Sequence, residues 1–253
     1  MMSKAKVFCV INYKGGTGKT CTLVNLAHAI SKKGHKVLII DTDPQGSTSY
    51  HLGVSPSKTL FDIITKRATP EECIYTAREN LDLIASNEHL FPAENYMHKQ
   101  ANRESILKDR LHPLFGKYDY IFLDCSPSIN LMNQNVLLCA NNLLIPVSMD
   151  YMTLLGVKQL INNTKLLNKN FNASIRVSKI IPTFYNNHNN KTKHVHDSLE
   201  KVFSEYISSP IRANVTISEA AGQGKTIYEF APTSSAANDF NKLTEEVLNY
   251  ERK

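Results

Sequence analysis

Val7-Phe8-Cys9-Val10-Ile11-Asn12 leads through Tyr13 into Lys14-Gly15-Gly16-Thr17-Gly18-Lys19-Thr20, and a periodic segment over residues 22–33 follows. An apolar run, a glycine-rich turn and a helical pattern in that order form the setting in which such a turn cradles phosphate. Gly15, Gly16 and Gly18 allow backbone N–H groups to approach an anion closely and take up dihedrals closed to other residues. The helix opening near Lys19 adds the positive end of its dipole. In this reading Lys19 reaches the β- and γ-phosphates and the Thr20 hydroxyl ligates Mg²⁺. The loop departs from the common G-x-x-x-x-G-K-[ST] form, because Tyr13 holds the place of its first glycine and Lys14 comes next.

Outward from the loop, short and nearly continuous apolar runs recur at residues 7–12, 37–41, 81–85, 120–124, 143–147 and 177–182. Strands buried on both faces of a parallel sheet have this character. Helical patterns over 19–33, 103–115, 131–140, 154–168 and 235–250 separate or follow them. The alternation predicts an α/β fold: one domain over residues 1–253, a mostly parallel twisted sheet with helices on both faces. Gly34 stops the first helix, and residues 186–196, the most polar stretch, read as a surface loop entering a helix.

Two of the runs end in carboxylates, at Asp41-Thr42-Asp43-Pro44-Gln45-Gly46 and at Asp124-Cys125-Ser126-Pro127-Ser128. A carboxylate after four apolar residues is costly to bury without a cation or strong donors. Asp124 suits the metal-side acid of a phosphoryl-transfer site, and Asp43, two residues past its strand, suits a group that orients the attacking water. Thr20, Asp43 and Asp124 are therefore the candidate metal-side residues, and ATP and Mg²⁺ the expected ligands.

The chain has 253 residues, 42% hydrophobic and 21% charged, enough for a substantial core. Five scattered cysteines, an odd number without metal-like pairs, suggest reduced thiols in the cytoplasm rather than a disulfide framework. No signal peptide or apolar stretch near ~20 residues is apparent, so no transmembrane segment is expected. The net charge of +6 permits contact with nucleic acid or an anionic membrane without requiring either. His194 and His196 point apart on a helix, which disfavours a metal site, and Cys125 and Cys139 suit small core positions.

The loop Lys14–Thr20 with its second lysine resembles that of the deviant Walker A ATPases. Asp41-Thr42-Asp43-Pro44-Gln45-Gly46 resembles the D-x-D-P-Q-[GA] segment of ParA-type (Soj-like) partition ATPases. Asp124-Cys125-Ser126-Pro127-Ser128 resembles their D-x-P-P-[ST], with Ser126 in place of the first proline. Ile181-Pro182-Thr183-Phe184-Tyr185 is similar to the family's strand end near the adenine pocket. Residues 211–220 are similar to I-P-R-N-V-R-L-S-E-A, and 224–230 to G-K-P-[IV]-x-x-[YF].

The resemblance implies an ATP-dependent homodimer that binds double-stranded DNA nonspecifically and is stimulated by a ParB-like partner. It implies that Lys14 reaches the partner subunit's phosphates, as an arginine finger does in trans. Gly15, Gly16, Thr17, Gly18, Lys19, Thr20 and Cys21 line the phosphates. Asp43 activates water, Asp124 serves the metal, and Pro182 and Asn214 lie near the base. Cys21, where the family has threonine, sits at a helix N-terminus, a place that lowers thiol pKa. The family's two arginines are replaced by Ala213 and Thr216, leaving Arg176, Lys179, Lys191, Lys193, Arg212, Lys225, Arg252 and Lys253 as candidate DNA contacts. Such contacts are salt-sensitive through counterion release. Two alternatives belong to other classes: a MinD-like membrane-associated division-site regulator and a metabolic P-loop enzyme. The first requires a basic amphipathic C-terminal helix, against which only residues 249–253 remain beyond the last helix. The second requires a second-substrate pocket or bridging cysteines.

Overall fold

The computed structural model describes residues 5–250. Its strands are β1 (Lys6–Val10), β2 (Val37–Asp41), β3 (Tyr75–Arg78), β4 (Leu81–Ile84), β5 (Tyr120–Asp124), β6 (Asn142–Ser148) and β7 (Arg176–Thr183). They form one sheet in the order β3-β4-β2-β5-β1-β6-β7, parallel except where β3 pairs with β4. The six apolar runs supply the six parallel strands, because each strand is covered on both faces. Side chains alternate between two cores. Val7, Cys9, Leu38 and Ile40 face one, while Phe8, Val10, Val37 and Ile39 face the other.

The first core is covered by α3 (Leu60–Ile64), α4 (Leu90–His98), α5 (Ile106–Leu111), α6 (Leu131–Cys139), α7 (Thr153–Phe171) and α8 (Asn190–Phe203). The second is covered by α1 (Lys19–Ser31), α2 (Ser47–Leu52), α9 (Val215–Gly222), α10 (Ile227–Phe230) and α11 (Ser235–Tyr250). The expected architecture is thus present, with differences of local cause. The segment expected as one helix over 103–115 is α5 followed by a 3-10 turn at His112–Leu114, where Pro113 cannot donate an N–H to a continuing helix. Strand β3 has no apolar alternation, with Tyr75 and Thr76 exposed, and is held by a tight hairpin in which Asn80 adopts φ +56°. Helices α2, α3, α4, α9 and α10 are short pieces whose apolar signal is only a few side chains each. The polar stretch at 186–196 does enter a helix: the Asn189 side chain accepts from the Lys191 N–H and opens α8.

Register fixes the site. Val10 and Asp41 both align with Asp124 across the three central strands. The loop after β1 and both acidic strand ends therefore emerge together at the carboxyl edge of the sheet, where open α/β sheets place their ligands.

Candidate nucleotide site

The phosphate loop turns on Gly16 at φ +70° and Gly18 at φ +78°, and α1 begins directly after Gly18. A side chain at either glycine is strained in this left-handed conformation. Lys19 is buried, and its Nζ donates to the Lys14 carbonyl oxygen at 3.2 Å, so the lysine lies folded across its own loop. Burial holds its ammonium below the ordinary value, with the Asp124 carboxylate opposing. Lys14 is half-exposed and pairs within the chain: its Nζ donates to Asp150 Oδ2, which also accepts from the Ser148 hydroxyl.

Asp124 is fully buried. Its Oδ2 accepts from the Thr20 hydroxyl at 2.6 Å and from the Thr48 hydroxyl at 3.2 Å, while Oδ1 has no partner among the described residues. Burial pushes its carboxyl up to about 6, with the Thr20 hydrogen bond working the other way. Asp41 is also buried and raised, first by burial and then by Asp124; its oxygens accept the backbone N–H groups of Asp43 and Thr48. Asp41 is thus a loop-building residue that fixes where Asp43 and Thr48 stand. Asp43 is only partly covered. Its Oδ1 accepts the Gln45 N–H, and it borders a cavity of about 370 Å³ shared with Ser126 and Pro127. Thr48 is a site residue that the sequence reading missed; the one signal for it is its place at the start of the helix that follows the Asp41 loop.

The donor set at Asp124 fits a hard divalent cation. It consists of oxygens, and a buried carboxylate oxygen without a partner is the kind of atom such an ion satisfies.

Beside the loop, on the α1 side of the sheet, lies a cavity of about 550 Å³ walled by Gly18, Cys21, Tyr50, Phe184 and Asn214. Phe184 stands at φ +52°, unusual for a bulky residue, with its ring against Gly18. Thr183 Oγ1 lies 3.0 Å from the Thr17 carbonyl oxygen and donates to it or to the equidistant Val147 carbonyl. Asn214 caps α9 by accepting the Thr216 N–H, and its amide donates to the Ser235 hydroxyl. Pro182 is one residue short of the wall: it is buried in β7, its carbonyl accepts the Ile211 N–H, and Thr183 and Phe184 line the cavity in its stead. The expectation of a lowered Cys21 thiol is reversed. Burial pushes it up to about 12, outweighing the Asn25 hydrogen bond.

The candidate DNA contacts do not converge. Arg212 grips Asp239 through two hydrogen bonds of 2.9 and 2.7 Å. Arg176 donates to Asn142 and lies over the Tyr250 ring. Lys179 is half-buried, Lys193 is exposed on α8, and Lys225 lies in the α9–α10 connection across the sheet. Arg252 and Lys253 fall outside the described residues. Cys125 does have a neighbour, since its sulfur is 3.2 Å from that of Cys9, both buried in the core.

The AAA domain family matches residues 5–177. The sporulation initiation inhibitor protein Soj of Bacillus subtilis is 34% identical over 96% of this chain and 98% of its own length. The chain belongs to the ParA/Soj-type deviant Walker A ATPase family. The chromosome partitioning protein ParA of Myxococcus xanthus, 30% identical over 96% of this chain and 88% of its own, is a further relative. A single-residue variant of Cyanothece McdA in complex with ATP superposes with a TM-score of 0.87 at 25% identity, covering 98% of this chain and 97% of that one. As in other members of this P-loop fold, the phosphate loop here sits between a central strand and its helix, and Lys14 marks the deviant form. Among the described residues no helix is long and apolar enough to cross a membrane.

Proposed function

We propose that this chain is a cytoplasmic ATPase that positions or partitions a cargo such as plasmid or chromosomal DNA, cycling between an ATP-bound dimer and a monomer. The observation that carries this reading is the buried Asp124 beside the phosphate loop, shared by the Thr20 and Thr48 hydroxyls, whose other oxygen has no partner among the described residues. Thr20 and Asp124 would hold Mg²⁺, with Asp43 among the nearby carboxylates. Bound there, the ion neutralises charge on the phosphate oxygens.

The protein's own part is positioning and charge. Backbone N–H groups of residues 15–20 cradle the phosphates. Lys19 leaves the Lys14 carbonyl for the phosphate oxygens. Asp43, with an open cavity beside it, orients the attacking water. Lys14 leaves Asp150 and completes charge stabilisation across the dimer, which makes hydrolysis dependent on a second subunit. Asn214 and the wall formed by Cys21 and Phe184 accept the base. The dimer binds duplex DNA nonspecifically, and a ParB-like partner accelerates hydrolysis and release.

The test is DNA co-sedimentation with ATP, with ADP and without nucleotide. Wild type should sediment with DNA only in ATP, Lys14→Ala in none of the three, and Asp43→Ala persistently in ATP. ATP-dependent dimers of Lys14→Ala would refute the role of that lysine across the interface. Helix α11 buries Phe240, Leu243 and Val247 in the core, so it is part of the fold and is not itself a membrane-inserting helix.

A further inference from the structure

From Tyr151 to His196 the chain contains no aspartate or glutamate, and it contains seven lysines and arginines. The whole chain has 29 basic and 23 acidic side chains, so removing this segment leaves 22 against 23. The net positive charge therefore resides in α7, β7 and the first turns of α8.

On α7 the basic residues are ordered. Lys158, Lys165 and Lys169 stand at i, i+7 and i+11, which places them within ~40° of the helix circumference. They lie on the flank away from α6, because the α6 flank carries Asn163, Leu167 and Asn170, which border a cavity with Gln134 and Leu137. The opposite neighbour is α8, whose Lys191 extends over the Tyr151 ring just before α7. All three α7 lysines are exposed, and none takes part in a salt bridge among the described residues. Carboxylates return only at Asp197 and Glu200, beyond the first turn of α8.

We infer that the lysine-bearing flank of α7, continued by Lys191 on α8, is the surface that contacts the phosphate backbone of duplex DNA. The inference rests on the DNA-binding reading above and gives it a location different from that of Arg212 and Lys225. Three fixed cations along one helix span ~16 Å, or about five base-pair steps of a duplex. A rigid line of charge suits a rigid polyanion. An anionic membrane surface is the competing occupant, because Leu155 and Leu166 of α7 are exposed near the lysines while Val157 and Leu160 are buried in the core, and the vesicle measurement below separates the two. Acid-free surroundings matter as much as the lysines, since no carboxylate on this flank repels the phosphates.

The experiment is fluorescence anisotropy with a mixed-sequence 24-base-pair duplex, over a series of salt concentrations, with the protein saturated in a non-hydrolysable ATP analogue. The Lys158→Gln, Lys165→Gln, Lys169→Gln triple variant should bind at least tenfold more weakly. Its log–log salt slope should be shallower by ~2–3 per protomer, since each lost phosphate contact removes about 0.9. A control triple with the same net charge, Lys36→Gln, Lys66→Gln, Lys99→Gln, should stay within about twofold of wild type, and replacing the three α7 lysines by arginine should retain the slope. Equal weakening in the α7 and control triples would overturn the assignment, leaving only bulk charge. Wild type without any salt-sensitive DNA affinity would instead remove the DNA reading itself. Wild-type binding to anionic vesicles but not to DNA, lost in the α7 triple, would give the face to a membrane and refute the inference.

Discussion

Asp124→Asn should make the unliganded protein more stable while abolishing its response to magnesium nucleotide. The wild-type carboxyl is fully buried and moved from 3.8 to about 6. At ~1.36 kcal/mol per pH decade this corresponds to roughly 3 kcal/mol of preference for the neutral form in the folded state. A carboxyl raised by folding contributes stability that is complete below its unfolded value of 3.8 and is lost as pH rises through about 6. At pH 7.5 that stability is gone. The asparagine variant has no charge to bury there, and its carbonyl still accepts from Thr20. Its amide takes the place of the unpartnered Oδ1, which returns about 1 kcal/mol of cost. The net expectation at pH 7.5 is a gain of ~1–2 kcal/mol, or a melting temperature higher by about 3–6 °C. At pH 5.0 the difference should shrink by about 1 kcal/mol, because wild type is then largely protonated. Thermal melts of both proteins at the two pH values, with and without Mg-ATP, measure all of this. A variant that melts below wild type at pH 7.5 in metal-free buffer, or that keeps its Mg-ATP stabilisation, refutes the reasoning.

Cys21 should react slowly with iodoacetamide at pH 7.5, as its thiol is pushed up to about 12; labelling as fast as free cysteine, followed by mass spectrometry, would show that the helix N-terminus prevails over burial. Arg78 donates to Glu229 and to the Leu52 and Gly224 carbonyls, tying β3 to α2 and the α9–α10 connection; Arg78→Ala should lower stability by ~2 kcal/mol in urea unfolding. Gly224 sits at φ +63°, and a Cβ there would stand 2.5 Å from the Gly53 Cα. Gly224→Ala should therefore cost ~2 kcal/mol or more and widen the base cavity, read as weaker nucleotide affinity by calorimetry.

The parallel sheet and its site edge were readable because burial on both faces leaves an unbroken apolar signal, as in Val37-Leu38-Ile39-Ile40 before Asp41. That Lys19 and Thr20 would meet Asp124 was legible for a related reason, since the glycine-rich loop and the acidic strand end leave the sheet at the same edge. What escaped the sequence depends on distant partners. Thr48 meets Asp124 across 76 positions, and Lys14 meets Asp150 across 136. Arg212 looked like a free cation, yet Asp239, 27 residues on, claims it. Cys21 failed for a different reason, since a local rule about helix ends says nothing about how deeply the surrounding fold buries the sulfur.

Thr183 touches both halves of the nucleotide site. Its hydroxyl lies between the Thr17 carbonyl of the phosphate loop and the Val147 carbonyl of β6, and the next residue, Phe184, forms the wall of the base cavity. Base wall and phosphate cradle are thereby set at a constant separation by a sheet strand rather than by a mobile loop. On the function proposed above, the site acts as a ruler for the length between a base and its terminal phosphate. Molecules with the correct ends and a shorter span, such as a nucleoside monophosphate, can occupy one end of it but not both.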